Sequence, residues 1–354
     1  MSSTGERKRD HLRICLEGDV GSTGGGPGLE RLRLRARALP GRDLSEVDLS
    51  ADLWGRRLSA PLLVSCMTGG VGEAGPVNRA LATAAQRHGI ALGLGSGRVL
   101  LEDAATLGSF AVRDVAPDVT LLANLGAVQL HRYGTADCAR LVEACEADAL
   151  VLHLNAVQEA VQATVGDHRG DDTRFGGLLE RIADVCAGLA TPVVVKEVGF
   201  GMAPEDVTAL AAAGVAGVDV AGAGGTNWAR VEGLRDDTAG ALAAAFGDWG
   251  WPTATCVAHA RAALDATGSR AVLVGSGGLR DGVDACKVLC LGADVAGMGR
   301  GLLRAGAAGP GEATAAVGVV VEQLRVAAWA VGAAGVGDLT PRRLMDSPTA
   351  AGRP

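Results

Sequence analysis

The sequence predicts an α/β fold, a closed (β/α)8 barrel with an N-terminal extension. Eight short apolar runs recur along the chain, each beginning with four to six apolar residues and ending in glycine or polar residues. Buried parallel strands have this character because helices cover both faces of their sheet. Ala/Leu-rich amphipathic segments separate the runs, and several of them close on glycine, as a helix C-cap does. Strand and helix alternation of this kind marks a parallel α/β fold. Eight units in a row favour closure into a barrel over an open doubly wound sheet.

Residues 1–61 precede the first run. They hold two basic segments, RKRDH and RLRLRAR, split by the Gly-rich stretch GDVGSTGGGPG, and read as an N-terminal cap with a basic arm and a flexible loop. The strands follow as LLVSCMTGG (62–70), IALGLGSGR (90–98), TLLANLG (120–126), ALVLHLN (149–155), PVVVKEVG (192–199), GVDVAGAGG (217–225), AVLVGSGGLR (271–280) and ADVAGMGR (293–300). Helices are expected between them at PVNRALATAAQRHG, ADCARLVEACEAD, FGGLLERIADVCAGLA, PEDVTALAAAG and DGVDACKVLCLG. The longest excursion, 226–270, comes after the sixth run, and 311–335 reads as a closing helix. The barrel is therefore assigned to 62–335 and a C-terminal tail to 336–354. A chain of 354 residues with 48% apolar composition suffices for two domains or for one barrel with insertions.

The net charge of −7 argues against a general nucleic-acid binder, so an anionic ligand must be held by local positive charge. Eight scattered cysteines form no C-x-x-C pair and read as small core residues of a reducing compartment. The N-terminus MSSTGERKRDH has no apolar h-region, and no apolar run approaches the length of a membrane span. The expectation is a cytoplasmic protein with no membrane and no nucleic-acid partner. Of 33 Lys and Arg residues only three are Lys: Lys8, Lys196 and Lys287. Only four Asn occur: Asn78, Asn124, Asn155 and Asn227. Lys differs from Arg in size, donor geometry and pKa plasticity, so the rare residues are worth locating.

Barrel chemistry lies at the C-terminal ends of the strands. Those ends supply Met67, Thr68, Ser96, Arg98, Asn124, His153, Asn155, Lys196, Glu197 and the Gly-rich segments 221–227, 275–280 and 297–300. The last two segments suggest a phosphate site, because glycine lets backbone N–H groups approach an anion and Arg280 adds charge. Tight turns that merely need glycine are the plainer explanation. Lys196 on a strand suits a Schiff base or a positive charge beside an electron-rich ring, or else pairs with a buried carboxylate. Asn155 and Gln158 have the spacing of a capping pair, which leaves His153 and Glu159 unexplained. No Rossmann fingerprint, P-loop or zinc spacing is present. His88, His131, His168 and His259 stand isolated and read as surface or packing residues.

RKRDH, MTGG, GLGSGR, ANLGA, HLNAVQEA, VKEVGFG, AGAGGTNWARVE and GSGGLR occur in this order from about residue 6 to 335. Together they make the chain resemble type 2 isopentenyl-diphosphate isomerase, an FMN-dependent barrel enzyme of isoprenoid biosynthesis. The resemblance implies interconversion of isopentenyl and dimethylallyl diphosphate with FMN, Mg2+ and NADPH as reductant, in a homo-oligomer (tetramer or octamer). The reduced flavin would act as acid–base catalyst. Carried over, Met67, Thr68, Ser96, Asn124, Lys196 and Thr226 would contact FMN, while Gly277, Gly278, Arg280, Gly297 and Met298 would hold its phosphate. Arg7, Lys8, His11, Arg98, His153, Asn155 and Gln158 would surround the substrate, and Glu159 would bind Mg2+.

Two departures stand out against that family. Gly97 occupies a position where Gln is common, and the stretch after HLNAVQEAVQ, reading ATVGDHRGDD, is longer and more charged. The rival readings are an FMN-dependent oxidoreductase of the α-hydroxy-acid oxidase type and a non-catalytic flavin-binding barrel. The oxidase needs a His base and a nearby Arg after the sixth strand, where this chain has AGAGGTNW.

Overall fold

The computed structural model describes residues 3–163 and 173–346. Most of the charged stretch after 163, with His168, and the tail from 347 lie outside the described residues. The eight barrel strands are β4 (Leu62–Val64), β5 (Ala91–Gly93), β6 (Leu121–Gly126), β7 (Ala149–His153), β8 (Val193–Lys196), β9 (Gly217–Asp219), β10 (Val272–Ser276) and β11 (Val295–Met298). They run parallel and close on themselves through the β11–β4 pairing, where Gly297 faces Leu63. Each coincides with one of the eight apolar runs.

Alternate residues along these strands serve two different cores. Leu62 and Val64 pack outward under the helices, whereas Leu63 joins Leu122, Val151, Val194 and Val295 inside the barrel. The interior is closed from below by a hairpin, β2 (Ala51–Leu53) with β3 (Arg56–Leu58), which adds Leu53 and Leu58 to the inner cluster. Its two-residue turn, Trp54–Gly55, has positive φ at both positions (51° and 80°), as a type I′ hairpin turn requires. The Trp54 Nε1–H donates to the Ala216 carbonyl at 3.0 Å, so the indole plugs the barrel floor.

The outer layer contains α2 (Ala74–His88), α4 (Thr135–Ala144), α6 (Leu178–Gly188), α7 (Pro204–Ala212), α10 (Thr253–Thr267), α11 (Gly282–Cys290), α12 (Arg300–Ala308) and α13 (Pro310–Ala330). Among the described residues, α13 alone is long and apolar enough to cross a membrane. It buries Ala313, Val317, Val320, Leu324 and Ala328 and packs against α2, α11 and α12. All eight cysteines are free, and six are buried.

The N-terminal extension is more ordered than its composition suggests. The basic arm is a helix, α1 (Ser3–Glu17), set against α8 (Trp228–Gly233) and α12. The Gly-rich stretch is tied to the loops after β9: Ser22 N–H donates to Gly225 O, Thr23 N–H to Gly247 O, and Asn227 N–H to Val20 O. Further on, β1 (Leu32–Leu34) pairs antiparallel with β12 (Leu344–Asp346), so the cap and the C-terminal tail form one ribbon.

Candidate active site

A cavity of about 510 Å³ opens at the C-terminal ends of the barrel strands. Every candidate site residue except Met298 lines it. Met298 is buried in the core between strands and helices, with its neighbours Gly297 and Gly299 reaching the cavity instead.

The arm places Arg7, Lys8 and His11 on the cavity side of α1, at helical neighbour spacing. Lys8 Nζ donates to the strand-end carbonyls of Gly69 (2.9 Å) and Ser96 (2.6 Å) and lies over the Phe110 ring. Burial, together with the charges of Arg7 and Arg98, pulls its ammonium down to about 7. Arg98 opens the short helix α3 (Arg98–Glu102), and its Nε donates to Glu102 at 3.1 Å. The preceding Gly97 does not line the cavity. A β-carbon there would meet Leu141 Cδ1 at 2.6 Å, so the site is filled by α4.

On the barrel rim, His153 Nδ1 lies 2.8 Å from Asn124 Oδ1, so Nδ1 carries the proton and Nε2 keeps a free lone pair. Burial, reinforced by Lys196 and Lys8, pushes the imidazole down to about 3 and keeps it neutral. Lys196 Nζ donates to the Glu197 carbonyl (2.7 Å) and sits 3.7 Å from Asp219, which also accepts from Ser276 Oγ at 2.5 Å. The lysine thus has its buried carboxylate partner and still reaches the cavity. Glu197 points away: its Oε2 accepts from the N–H groups of Val198, Gly199, Phe200 and Gly201 and pins that loop. Burial outweighs those donors and raises its carboxyl to about 7.

After β7, α5 (Ala156–Ala163) carries Gln158 and Glu159 back to the same mouth. Asn155 is 2% exposed, and its Nδ2 donates to Gln158 Oε1 (3.2 Å) and Glu159 Oε1 (2.7 Å). Its Oδ1 is buried without a partner. The capping arrangement expected from spacing is therefore absent; the amide instead braces the two side chains and leaves its own Oδ1 unpaired. Glu159 also accepts from Gln162 at 3.2 Å.

Sequence reasoning missed Glu232, the hub of this region. It is 1% exposed on α8. Its Oε1 lies 2.8 Å from His11 Nε2 and accepts from Gln158 Nε2 at 2.8 Å, while Oε2 accepts from Arg235 at 2.7 Å. Burial alone would raise the carboxyl, but His11, Gln158 and Arg235 overcome it and hold it near 2. The hub joins side chains from α1, α5 and α8, a grouping that no local spacing reveals.

The glycine segments form the opposite wall. Gly277 and Gly278 have φ of 110° and 73°, and β-carbons there would meet Gly222 O at 2.1 Å and Gly224 O at 2.5 Å. The loops after β9 and β10 pack backbone to backbone, so the plain need for glycine holds, and the same absence of side chains opens the cavity. Arg280 lies at its edge with its guanidinium in a two-point pair with Asp284 (2.7 and 3.0 Å). Asp281 caps α11, whereas α12 begins at Gly299 with no side-chain cap. Asp284 also pairs with Lys287, whose Nζ donates to Leu29 O; that lysine is structural. Asn78 and Asn227 are likewise structural, bonded to Thr68 O and Ser109 O and to Phe246 O, respectively.

No family model matches the chain. Curated relatives do. The chain is 47% identical over 307 residues to the isopentenyl-diphosphate delta-isomerase of Nostoc sp., covering 86% of this chain and 85% of that protein. To the enzyme of the same name from Stutzerimonas stutzeri it is 45% identical over 343 residues, 96% of each chain. The chain belongs to the isopentenyl-diphosphate delta-isomerase family. Among solved structures, a flavocytochrome b2 variant with pyruvate bound matches with TM-score 0.69 at 19% identity, over 95% of this chain and 82% of that one. A mandelate oxidase variant holding an FMN adduct matches with TM-score 0.64 at 21% identity, over 97% and 99%. These neighbours share the barrel fold.

For an isopentenyl-diphosphate delta-isomerase, the distribution of charge in this cavity is chemically apt. Arg7, Lys8 and Arg98 gather cations at one side of an otherwise acidic protein. The neutral His153 and the carboxylate of Glu159 line the same cavity. Leu12, Val128 and Trp228 give the same space apolar walls.

Proposed function

We propose that this chain interconverts isopentenyl and dimethylallyl diphosphate by an FMN- and Mg2+-dependent route. The observation that carries the reading is the convergence of Arg7, Lys8 and Arg98 on the cavity that also holds Asn155, Gln158 and Glu159. A cation cluster beside the carboxylate of Glu159 suits a diphosphate bound together with a hard, oxygen-liganded ion. Asn155 and Ser65 line this cavity, and the buried, unpartnered Oδ1 and Oγ they carry suit a polar ligand.

Met67, Thr68, Ser96, Asn124, Lys196 and Thr226 would hold the flavin ring, and Gly277, Gly278, Arg280 and Gly297 would hold its phosphate. When bound and reduced by NADPH, FMN supplies the acid–base group for moving the double bond. Lys196, fixed by Asp219, would supply positive charge to the ring. Arg7, Lys8 and Arg98 anchor the diphosphate, whose charge raises the Lys8 ammonium from about 7 and secures its proton. Glu159 would bind Mg2+. Glu232 keeps His11 and Gln158 pointed at the substrate, and His153 presents a neutral Nε2. Leu12, Val128 and Trp228 exclude water from the hydrocarbon end.

The test is direct. Purified protein is examined for flavin absorbance, reduced anaerobically, and given isopentenyl diphosphate with Mg2+. Formation of dimethylallyl diphosphate only in the reduced, Mg2+-loaded sample supports the reading. Bound flavin without isomer formation would point to a sensor, and consumption of a 2-hydroxy acid to an oxidase.

A further inference from the structure

The arm that brings Arg7, Lys8 and His11 to the cavity is held through those side chains and, at its C-terminal end, by two arginines of the cavity wall, Arg300 and Arg304. α1 has no basic residue in its own last turn, so its C-terminal carbonyls need partners from elsewhere. They find them on α12. Arg300 Nε donates to Cys15 O at 2.9 Å, Arg300 Nη2 donates to Gly18 O, and Arg304 Nε donates to Leu16 O at 3.1 Å. Two guanidiniums thus meet the negative end of the helix dipole, the favourable arrangement. A second tether lies mid-helix, where Arg235 reaches Asp10 (3.8 Å) as well as Glu232.

Docking this arm brings like charges together. Arg7 and Lys8 approach Arg98, and Arg300 lies beside Arg304; burial and then Arg304 lower the Arg300 guanidinium. The backbone contacts of Arg300 offset that repulsion. We propose that Arg300, seconded by Arg304, is a positioning residue for the substrate arm: it caps the C-terminus of α1 and thereby fixes Arg7, Lys8 and His11 over the cavity. It acts through the arm's backbone. This inference rests on the reading that the arm's cations bind a diphosphate.

The experiment uses the full chain loaded with FMN and Mg2+. Amide hydrogen exchange over residues 9–17 is compared in wild type and Arg300→Met, alongside flavin content and steady-state kinetics with isopentenyl diphosphate. The variant should exchange faster in that segment and keep its flavin. Its KM should rise about tenfold or more with kcat within about threefold, because a loosened arm lowers the binding-competent fraction. In a chain already carrying Arg7→Ala and His11→Ala, adding Arg300→Met should change KM by less than about twofold. Arg304→Gln, at an exposed position with one carbonyl contact, should move exchange and KM the same way by less, and serves if Arg300→Met does not fold. Loss of FMN with unchanged exchange in 9–17 would overturn the proposal and make Arg300 a phosphate ligand. Unchanged exchange with unchanged KM would overturn it equally. Absence of isomerase turnover in wild type would sink the functional reading, while the exchange comparison would still decide whether Arg300 holds the arm.

Discussion

His153 and Asn124 sit on adjacent barrel strands with Nδ1 and Oδ1 2.8 Å apart. This one contact selects the tautomer of a histidine that burial keeps neutral. Its folded value, about 3, lies below the unfolded 6.5. The unfolded chain therefore binds the extra proton between those values, and stability is lost as pH falls from about 6.5 toward 3. His153→Gln should flatten that part of the profile. Thermal midpoints of both proteins from pH 7 to 4 measure it; parallel curves would mean that His153 is not buried neutral.

Removing the hub carboxylate tests the Glu232 network. Glu232→Gln leaves Arg235 short of a buried counter-charge and weakens the hold on His11 and Gln158. A stability loss of about 2–4 kcal/mol is expected in denaturant unfolding. Isomerase turnover should fall with flavin still bound.

Glu159 makes a contrasting prediction. It faces the cavity and is braced by neutral amides, so Glu159→Gln should leave stability within about 1 kcal/mol of wild type. Turnover should fall steeply and need more Mg2+. A Mg2+ titration of activity checks this; release of flavin from the variant would show that the carboxylate serves the other ligand.

Gly277→Ala strikes backbone rather than a movable side chain. The new methyl would lie 2.1 Å from Gly222 O at a φ of 110°. The loops after β9 and β10 must separate, at a cost of about 1–3 kcal/mol for the backbone strain alone. Flavin affinity should drop with the melting temperature, read by absorbance after gel filtration.

Trp54→Ala is expected to do the reverse, lowering stability and sparing the site. Removing the half-buried indole opens the barrel floor and frees the Ala216 carbonyl. A loss of about 2–4 kcal/mol is expected, toward the lower part of the range for large-to-small core changes. Flavin content and KM should stay as in wild type.

The barrel was legible because its strands are buried on both faces, which leaves runs such as PVVVKEV uninterrupted. Scarcity was a useful guide to two lysines and two asparagines: Lys8, Lys196, Asn124 and Asn155 line the cavity. It misled for Lys287 and Asn78, where a rare residue satisfies buried carbonyls. Glu232, Arg235 and Arg300 were not legible, because each matters through partners far away in the chain. The alternation that places Gly297 at the rim and Met298 in the core depends on register, which periodicity alone does not set. The reading of the Gly-rich segment as loose failed for a related reason: its backbone partners lie beyond residue 220.

The pairing of β1 with β12 has a consequence for the order of assembly. Leu32 faces Asp346, so an early part of the chain completes its hydrogen bonds with a very late one. On a ribosome, β1 has no partner until the barrel and α13 have emerged. The β1–β12 ribbon must therefore close last, as a clasp over a barrel already formed, and its closing entropy is spent on a structure that can hold it.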